Sequence, residues 1–196
     1  MSIEATLKSR SNGQCELCTS DQALGVYEVP PVAANVTDRE IYICVKCKQQ
    51  LDKKEELDSS HWRKLNETMW SEYPSVQVAA WRMLNRLRDE SWAAEALDML
   101  YLDEEQLEWA KATGDHEGDG SVELHRDCNG HQLFDGDSVV LIKSLDVKGS
   151  TLNARMGTVV KNIRLVPDNT EQIEGRVEGQ LIVILTQYLR KQQAGT

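Results

Sequence analysis

The chain has 196 residues, of which 40% are hydrophobic, and a formal net charge of −10 at pH 7. A chain of this length and composition can bury one large core or two to three small ones, which excludes an intrinsically disordered protein. The net negative charge argues against nonspecific adhesion of the whole molecule to nucleic acid or to an anionic membrane.

Neither a membrane span nor a secretion signal is evident in the sequence. The longest uninterrupted aliphatic run, residues 181–185, is far too short to cross a bilayer. The start of the chain, Met1 to Glu4, lacks the basic-then-apolar order of a signal peptide. We therefore expect a cytoplasmic protein whose five cysteines are reduced thiols unless they bind a metal.

Two Cys-x-x-Cys pairs characterise residues 1–57. The four cysteines are Cys15, Cys18, Cys44 and Cys47. Each pair places two sulfurs on one tight turn, and two such turns meeting across a hairpin supply the tetrahedral set that Zn²⁺ prefers. Predicted strands over residues 25–29 and 40–44 provide that hairpin. The pattern predicts a zinc ribbon with a closed, structural zinc site rather than a thioredoxin-type redox pair, which needs a strand before the motif and a helix beginning at it.

Helices are predicted from the second cysteine pair to about residue 113. A short helix is expected over residues 48–57, and a helical segment over residues 58–113. Asp58, Ser59 or Ser60 is predicted to cap a helix that runs toward Trp70. Pro74 suits the first turn of the next helix, and Ser91 can cap a third. Asp103 and Gln106 resemble a capping box that begins a fourth helix. His61 could approach the metal, but four thiolates already complete its shell, so we read His61 as part of a helix start. All five tryptophans fall in this segment, which favours a helical core over a ligand site.

The remainder reads as a linker followed by strands. Residues 114–126 are rich in glycine and acid, which is typical of a solvated linker, and they lack the ordered spacing of a calcium loop. Residues 127–196 alternate short predicted strands with glycine turns, with strands over 138–143, 158–166, 172–178 and 180–185. This region is expected to form a small barrel, so the whole chain is predicted to be an α+β multidomain protein.

Candidate ligand-binding groups in the barrel region are cationic. Lysines and arginines there could converge on an anion, although solvated surface charges are the simpler interpretation; they are Lys143, Lys148, Arg155, Lys161 and Arg164. His125 and His131 flank Cys128, which resembles a Cys-His pair, but closeness in sequence on a glycine turn does not establish catalytic geometry. We interpret Cys128 as a turn residue and expect no catalytic residues.

Several motifs together resemble the PhnA (YjdM) family of bacterial proteins in its long form, over nearly the whole chain. In the barrel region they are Asn129-Gly130, Asp135-Gly136-Asp137-Ser138-Val139, Leu141-Ile142-Lys143, Val147-Lys148-Gly149 and residues 157–165. Upstream they are Met69-Trp70-Ser71-Glu72, Val76-Gln77-Val78, residues 80–84 and residues 97–105. The resemblance implies an N-terminal zinc ribbon carried by the four cysteines and a C-terminal SH3-like barrel, the PhnA domain, beginning near Asp127.

Function is less constrained than architecture. The resemblance implies an association with alkylphosphonate utilisation, and some members of the family are labelled phosphonoacetate hydrolase. The residues favour a noncatalytic binding or accessory protein whose partner is another protein or a small anionic ligand, because a closed metal site offers no position to a substrate. One alternative is a phosphonate hydrolase. The other is a nucleic-acid or transcription-associated binding module, and the net charge of the chain disfavours this second alternative.

Overall fold

The structure, a computed structural model, describes residues 2–31, 38–146 and 153–192. The chain divides into two compact units, Met1–Val122 and Glu123–Thr196, each with its own hydrophobic core. None of the described helices combines the length and the apolar character needed to cross a bilayer.

The first unit begins with a helix and a hairpin. Its first four elements are α1 (Ile3–Arg10), β1 (Leu24–Glu28), β2 (Glu40–Cys44) and α2 (Val45–Leu51). The strands pair antiparallel, with Leu24 opposite Cys44, as the sequence predicts to within one residue. Helix α1 is not predicted, and α2 begins three residues earlier than expected because Cys44 caps it. Lys53, at φ 58°, follows the end of α2, so the helix does not extend to residue 57.

Five more helices follow in this unit. They are α3 (Ser59–Trp62), α4 (Leu65–Thr68), α5 (Pro74–Arg86), α6 (Ser91–Met99) and α7 (Glu104–Lys111). The predicted Asp58 cap, the proline in the first turn of α5 and the capping box at α7 are all confirmed. The helix expected to run toward Trp70 is instead two short helices, α3 and α4.

Helix α5 is the centre of the first core. Eleven of its 13 residues are buried, so it is surrounded by other elements rather than packed on one face. The same core includes the four cysteines, the hairpin and the inner faces of α3, α4, α6 and α7. Trp62, Trp81 and Trp109 lie in this core, whereas Trp70 is 58% exposed. The hairpin and the helical segment therefore stabilise each other through one continuous apolar interior.

Residues 114–122 pack against α5, unlike the solvated linker expected over 114–126. Arg88 donates hydrogen bonds to the carbonyl oxygens of His116 and Gly118. A Cβ on Gly120, whose φ is +78°, would lie 1.9 Å from the carbonyl oxygen of Arg86. Glycine is therefore needed here both for the backbone conformation and for the close approach of the two backbones.

The second unit is β-rich. Its strands are β3 (Val139–Leu141), β4 (Leu145–Asp146), β5 (Asn153–Ala154), β6 (Val159–Val160), β7 (Arg164–Leu165), β8 (Gln172–Val177), β9 (Gln180–Leu185) and β10 (Leu189–Lys191). Among the described residues they form three hydrogen-bonded sheets in the orders β10-β3-β6, β4-β5 and β7-β8-β9. The sheets surround one apolar core. The SH3-like barrel itself stays a prediction.

The β8–β9 hairpin matches the prediction most closely, since both strands lie within one residue of the expected bounds. The strand predicted over 158–166 is interrupted at Asn162, whose φ is 52°, and becomes β6 and β7. Gly175 lets β8 approach β6, because a Cβ there would lie 2.4 Å from Cγ1 of Val160.

Candidate metal centre and anion-binding residues

The first cysteine pair lies on a tight turn after α1. The backbone N–H of Cys15 donates to the carbonyl oxygen of Ser20 at 2.7 Å, and the N–H of Thr19 donates back to Cys15 at 2.9 Å. Leu17, between the two cysteines, is fully buried, and its carbonyl oxygen accepts a 2.8 Å hydrogen bond from the Thr68 hydroxyl of α4. The turn is thereby attached to the helical part of the unit.

The second pair lies where β2 passes into α2. Cys44 is the last residue of the strand and the N-cap of the helix, and its sulfur accepts a hydrogen bond of 3.4 Å from the backbone N–H of Cys47. An N–H donor stabilises a thiolate, which is the form of cysteine that binds a metal. The change from strand to helix thus brings both sulfurs of the pair to the same side of the turn.

The structure brings the four predicted cysteines together. Their sulfurs all lie within 4.8 Å of one another, and all four residues are buried. The sulfurs of Cys15 and Cys47 are 3.7 Å apart and those of Cys18 and Cys44 are 3.5 Å apart. These distances exclude disulfides, which need about 2.05 Å. A tetrahedron with Zn–S bonds of about 2.3 Å has sulfur-to-sulfur edges of about 3.8 Å, so the cluster fits a metal ion of that kind.

The electrostatics of the cluster also favour a cation. Hydrogen bonds from Cys15, Cys18 and Cys47 lower the pKa of Cys44, and hydrogen bonding to Cys18 lowers the pKa of Cys15 to about 7. Hydrogen bonding to Cys15 raises the pKa of Cys47. Without a cation the four thiols therefore share their protons unequally. A divalent cation at the centre is what would allow all four to ionise together.

His61 lies in α3, at the predicted helix start, and also approaches this cluster. Its Nε2 lies 3.2 Å from the sulfur of Cys47. The side chain of Asp58 caps α3 by accepting from the backbone N–H of His61 at 3.2 Å, which fixes where α3 begins. His61 follows Cys47 by 14 residues, outside either Cys-x-x-Cys pair, so no spacing rule identifies it. A ring N–H at this distance can donate to the sulfur of a metal-bound thiolate.

A buried glutamine connects α2, the helix that carries Cys47, to α3. Gln50 of α2 is 1% exposed, and its Oε1 accepts hydrogen bonds from Trp62 Nε1 at 2.6 Å and from the backbone N–H of Asp58 at 3.0 Å. Because the donors belong to the N-cap and to the last residue of α3, the glutamine fixes α3 beside the cysteines. Sequence patterns gave no signal for this residue.

In the second unit, two of the five predicted anion-binding residues lie together. Lys161 and Arg164 line a cavity of about 360 Å³ together with Arg176, which is not among the predicted anion-binding residues. Glu174 also lines this cavity and lies opposite Arg164 in the β7–β8 register. Across the described ranges 2–31, 38–146 and 153–192, none of the three cations forms an ion pair within 4 Å.

The other predicted cations are placed differently. The Nζ of Lys143 lies 5.3 Å from the ring centroid of Tyr188, and neither Lys143 nor Arg155 lines the cavity. Lys148 lies outside the described residues. Lys161 and Arg164 therefore line one cavity, whereas Lys143 and Arg155 lie elsewhere, and binding of an anion by any of them stays a prediction.

The segment around Cys128 is organised as a turn. The buried carboxylate of Asp127 accepts hydrogen bonds from the backbone N–H groups of Asn129, His131 and Lys191 at 2.8–2.9 Å. Burial raises the pKa of Asp127, but these hydrogen bonds outweigh it and the pKa is lowered. Cys128 is exposed, and the ring of His131 lies 3.4 Å from the carboxylate of Asp127. The geometry favours a turn held by Asp127 over a Cys-His pair.

Comparison with known proteins identifies the second unit. The family described as PhnA domain matches residues 125–192. The chain is 44% identical to "Protein YjdM" of Escherichia coli strain K12 over 72 residues, which are 37% of this chain and 62% of the relative. It is 46% identical to "Protein YjdM" of Streptococcus mutans over 72 residues, which are again 37% of this chain and 62% of the relative.

The match is confined to part of each protein. The "Protein YjdM homolog" of Haemophilus influenzae is 37% identical over 75 residues, 38% of this chain and 58% of the relative. The chain thus spans less than two thirds of the length of the curated relatives it matches. The wider resemblance suggested by the motifs of the helical segment stays a prediction. Residues 125–192 are a PhnA domain of the YjdM type, and they give this chain its family resemblance.

Proposed function

We propose that this chain is a noncatalytic cytoplasmic binding protein in which a structural zinc ion holds the first unit together and the PhnA domain, as an SH3-like barrel, binds an anionic ligand. The observation that carries the proposal is the cluster of four buried cysteine sulfurs within 4.8 Å of one another. Four protein donors complete the tetrahedral shell of zinc. No coordination position is then left for water or a substrate.

The donor set supports zinc in particular. Thiolates are soft ligands, and four of them in a closed tetrahedron are typical of structural zinc. When bound, the ion would supply four metal–sulfur bonds that connect the two turns. The chain's own residues exclude water from the site, since Cys15 and Cys47 are 1% exposed or less. The N–H of Cys47 and the ring of His61 would hold two of the sulfurs in place.

The cavity of the PhnA domain supports an anionic ligand. Lys161, Arg164 and Arg176 face one acidic residue, Glu174, so the lining carries a formal charge of +2. The acidity of the chain belongs to the first unit, because residues 123–196 contain nine Lys and Arg and nine Asp and Glu. The second unit itself therefore carries no net charge that would repel an anion from this cavity. By resemblance, an alkylphosphonate is the first ligand to test.

Phosphorus NMR tests the noncatalytic role. Zinc-loaded full-length protein is incubated with phosphonoacetate, and free phosphate is measured. We expect none to be released. Release of phosphate that is lost in His131→Ala would instead establish the hydrolase alternative.

Amide chemical shifts test the ligand. Phosphonoacetate should shift the amides of β7 and β8, and the double variant Lys161→Gln/Arg164→Gln should abolish the shifts. The matched control Lys143→Gln, which removes a cation outside the cavity, should respond as wild type. Equal shifts in all three proteins would refute the proposed site. Shifts produced by single-stranded RNA with a steep salt dependence, and not by phosphonoacetate, would favour the nucleic-acid alternative.

A further inference from the structure

A separate cavity of about 260 Å³ lies in the first unit, beside β1, the end of α2 and α5. Its polar lining includes Tyr27, Lys53, Arg82, Arg86 and Asp115, and its remaining walls are largely apolar. Most side chains of this type lie at protein surfaces, and a charged residue is fully buried only when it is paired. The charges of this cavity therefore need partners.

The two arginines are deeply buried and bind mainly neutral groups. Arg82 is 3% exposed, and its guanidinium donates to the carbonyl oxygens of Trp109 at 2.6 Å and Ala110 at 3.1 Å. Arg86 is 5% exposed, and its Nη1 donates to the carbonyl oxygen of Gln50 at 2.6 Å. Carbonyl oxygens satisfy N–H groups, but they do not neutralise a buried positive charge.

One nitrogen of Arg86 has no partner. Its Nη2 is buried and makes no hydrogen bond within the described part of the chain, although Arg86 lines the cavity. An unpaired buried donor of a charged group is costly, and native proteins usually satisfy it with a ligand, an ion or water.

The acidic groups of the cavity compensate the arginines only in part. Asp115 lies 3.9 Å from Nε of Arg86 and 3.0 Å from Nζ of Lys53, so two cations share one carboxylate. The other acid, Asp52, accepts a 3.1 Å hydrogen bond from the hydroxyl of Tyr27. Burial lowers the pKa of Arg82 to about 10 and also lowers that of Arg86, despite the opposing effect of Asp115. The lining has three cations, Lys53, Arg82 and Arg86, and two acids, Asp52 and Asp115, so a third negative group would balance the charges.

We propose that this cavity binds a small oxyanion, such as phosphate or a short carboxylate, through Nη2 of Arg86. A planar guanidinium suits the oxygens of either ligand. Lys53 is about half exposed and can contact the anion from the solvent side. Asp115 competes with the anion for Lys53 and Arg86. The inference does not depend on the anion site of the PhnA domain, because every residue involved belongs to the first unit.

Tryptophan fluorescence provides the test, because all five tryptophans belong to the first unit. The thermal transition of zinc-loaded full-length protein is followed while sodium phosphate or sodium acetate replaces sodium chloride at constant ionic strength. A ligand that binds only the folded state raises the transition temperature in proportion to its occupancy. We expect the temperature to rise by several degrees at tens of millimolar phosphate.

Three variants distinguish a built site from a general salt effect. Arg86→Gln should abolish the rise, and the matched control Arg63→Gln, which removes an exposed arginine, should leave it unchanged. Asp115→Asn removes the competing carboxylate and should lower the half-saturating phosphate concentration about tenfold. This last variant keeps the test decisive if Arg86→Gln does not fold.

The proposal is overturned if neither anion shifts the transition of wild type or of Asp115→Asn relative to chloride. It is equally overturned if Arg86→Gln shows the same shift as wild type. Neither result would bear on the PhnA domain, whose ligand is followed by the amide shifts of β7 and β8.

Discussion

Removing the metal should unfold the first unit and leave the PhnA domain folded. The perturbation is a strong zinc chelator added with a thiol reductant to the full-length chain. The four sulfurs belong to the same apolar core as α5, so their separation disrupts the interior of the whole unit. The core of the second unit contains no residue of the first.

The expected magnitude follows from the size of the unit. Net stability of about 0.05–0.15 kcal/mol per residue gives roughly 6 to 18 kcal/mol for Met1–Val122. Apparent zinc binding to four thiolates at neutral pH is worth about 10 to 16 kcal/mol. The metal therefore contributes as much free energy as the unit has in total, and its loss should leave the unit unfolded at 25 °C.

Two measurements separate the units. Tryptophan emission reports only the first unit, and it should shift to the red when zinc is removed. Amide hydrogen exchange at β8 and β9 reports the second unit, and its protection should persist. Cys44→Ser should behave as chelated wild type, whereas Cys128→Ser, which removes the exposed thiol, should not. Unchanged emission in protein shown by elemental analysis to be metal-free would refute this reasoning.

Three substitutions test other parts of the structure. Gly120→Ala should destabilise the first unit by roughly 2 to 5 kcal/mol, because the new Cβ would meet the Arg86 carbonyl. Urea unfolding followed by tryptophan emission measures this loss, and the control Gly118→Ala should have little effect. Gly175→Ala should lower the melting temperature of the second unit by circular dichroism, and adding Val160→Ala should partly restore it. Asp127→Ala should cost the second unit about 2 to 4 kcal/mol at pH 7. The pKa of Asp127 is lower in the folded state than its ordinary value. The carboxylate therefore stabilises the second unit above about pH 4, and this stabilisation is lost as the pH falls through the folded pKa. Wild type should accordingly lose more stability in acid than Asp127→Ala.

Local patterns predicted the cluster of four cysteines well. The Cys-x-x-Cys spacing puts two sulfurs on one turn whatever surrounds it, so Cys15, Cys18, Cys44 and Cys47 could be identified from the sequence alone. Capping signals such as Asp58 also act over three or four residues, and they predicted the starts of α3 and α7 correctly, whereas the N-cap of α6 is Glu90 and not the predicted Ser91.

Long-range packing could not be predicted in this way. His61 and Gln50 lie beside or near the cluster because α2 and α3 pack together, which no spacing encodes. Arg86 lies on α5, which is buried on all sides, whereas the sequence signals predicted only where that helix begins. The break between β6 and β7 depends on the conformation of Asn162, which strand propensity does not report. These features arise from contacts between residues distant in sequence.

X-ray absorption at the zinc edge of full-length protein would identify the atoms bound to the metal. We expect four sulfur neighbours at about 2.3 Å and no lighter donor, with His61 remaining outside the first coordination shell. A nitrogen or oxygen neighbour at about 2.0–2.2 Å would contradict it, because the site would then have an open or exchangeable position.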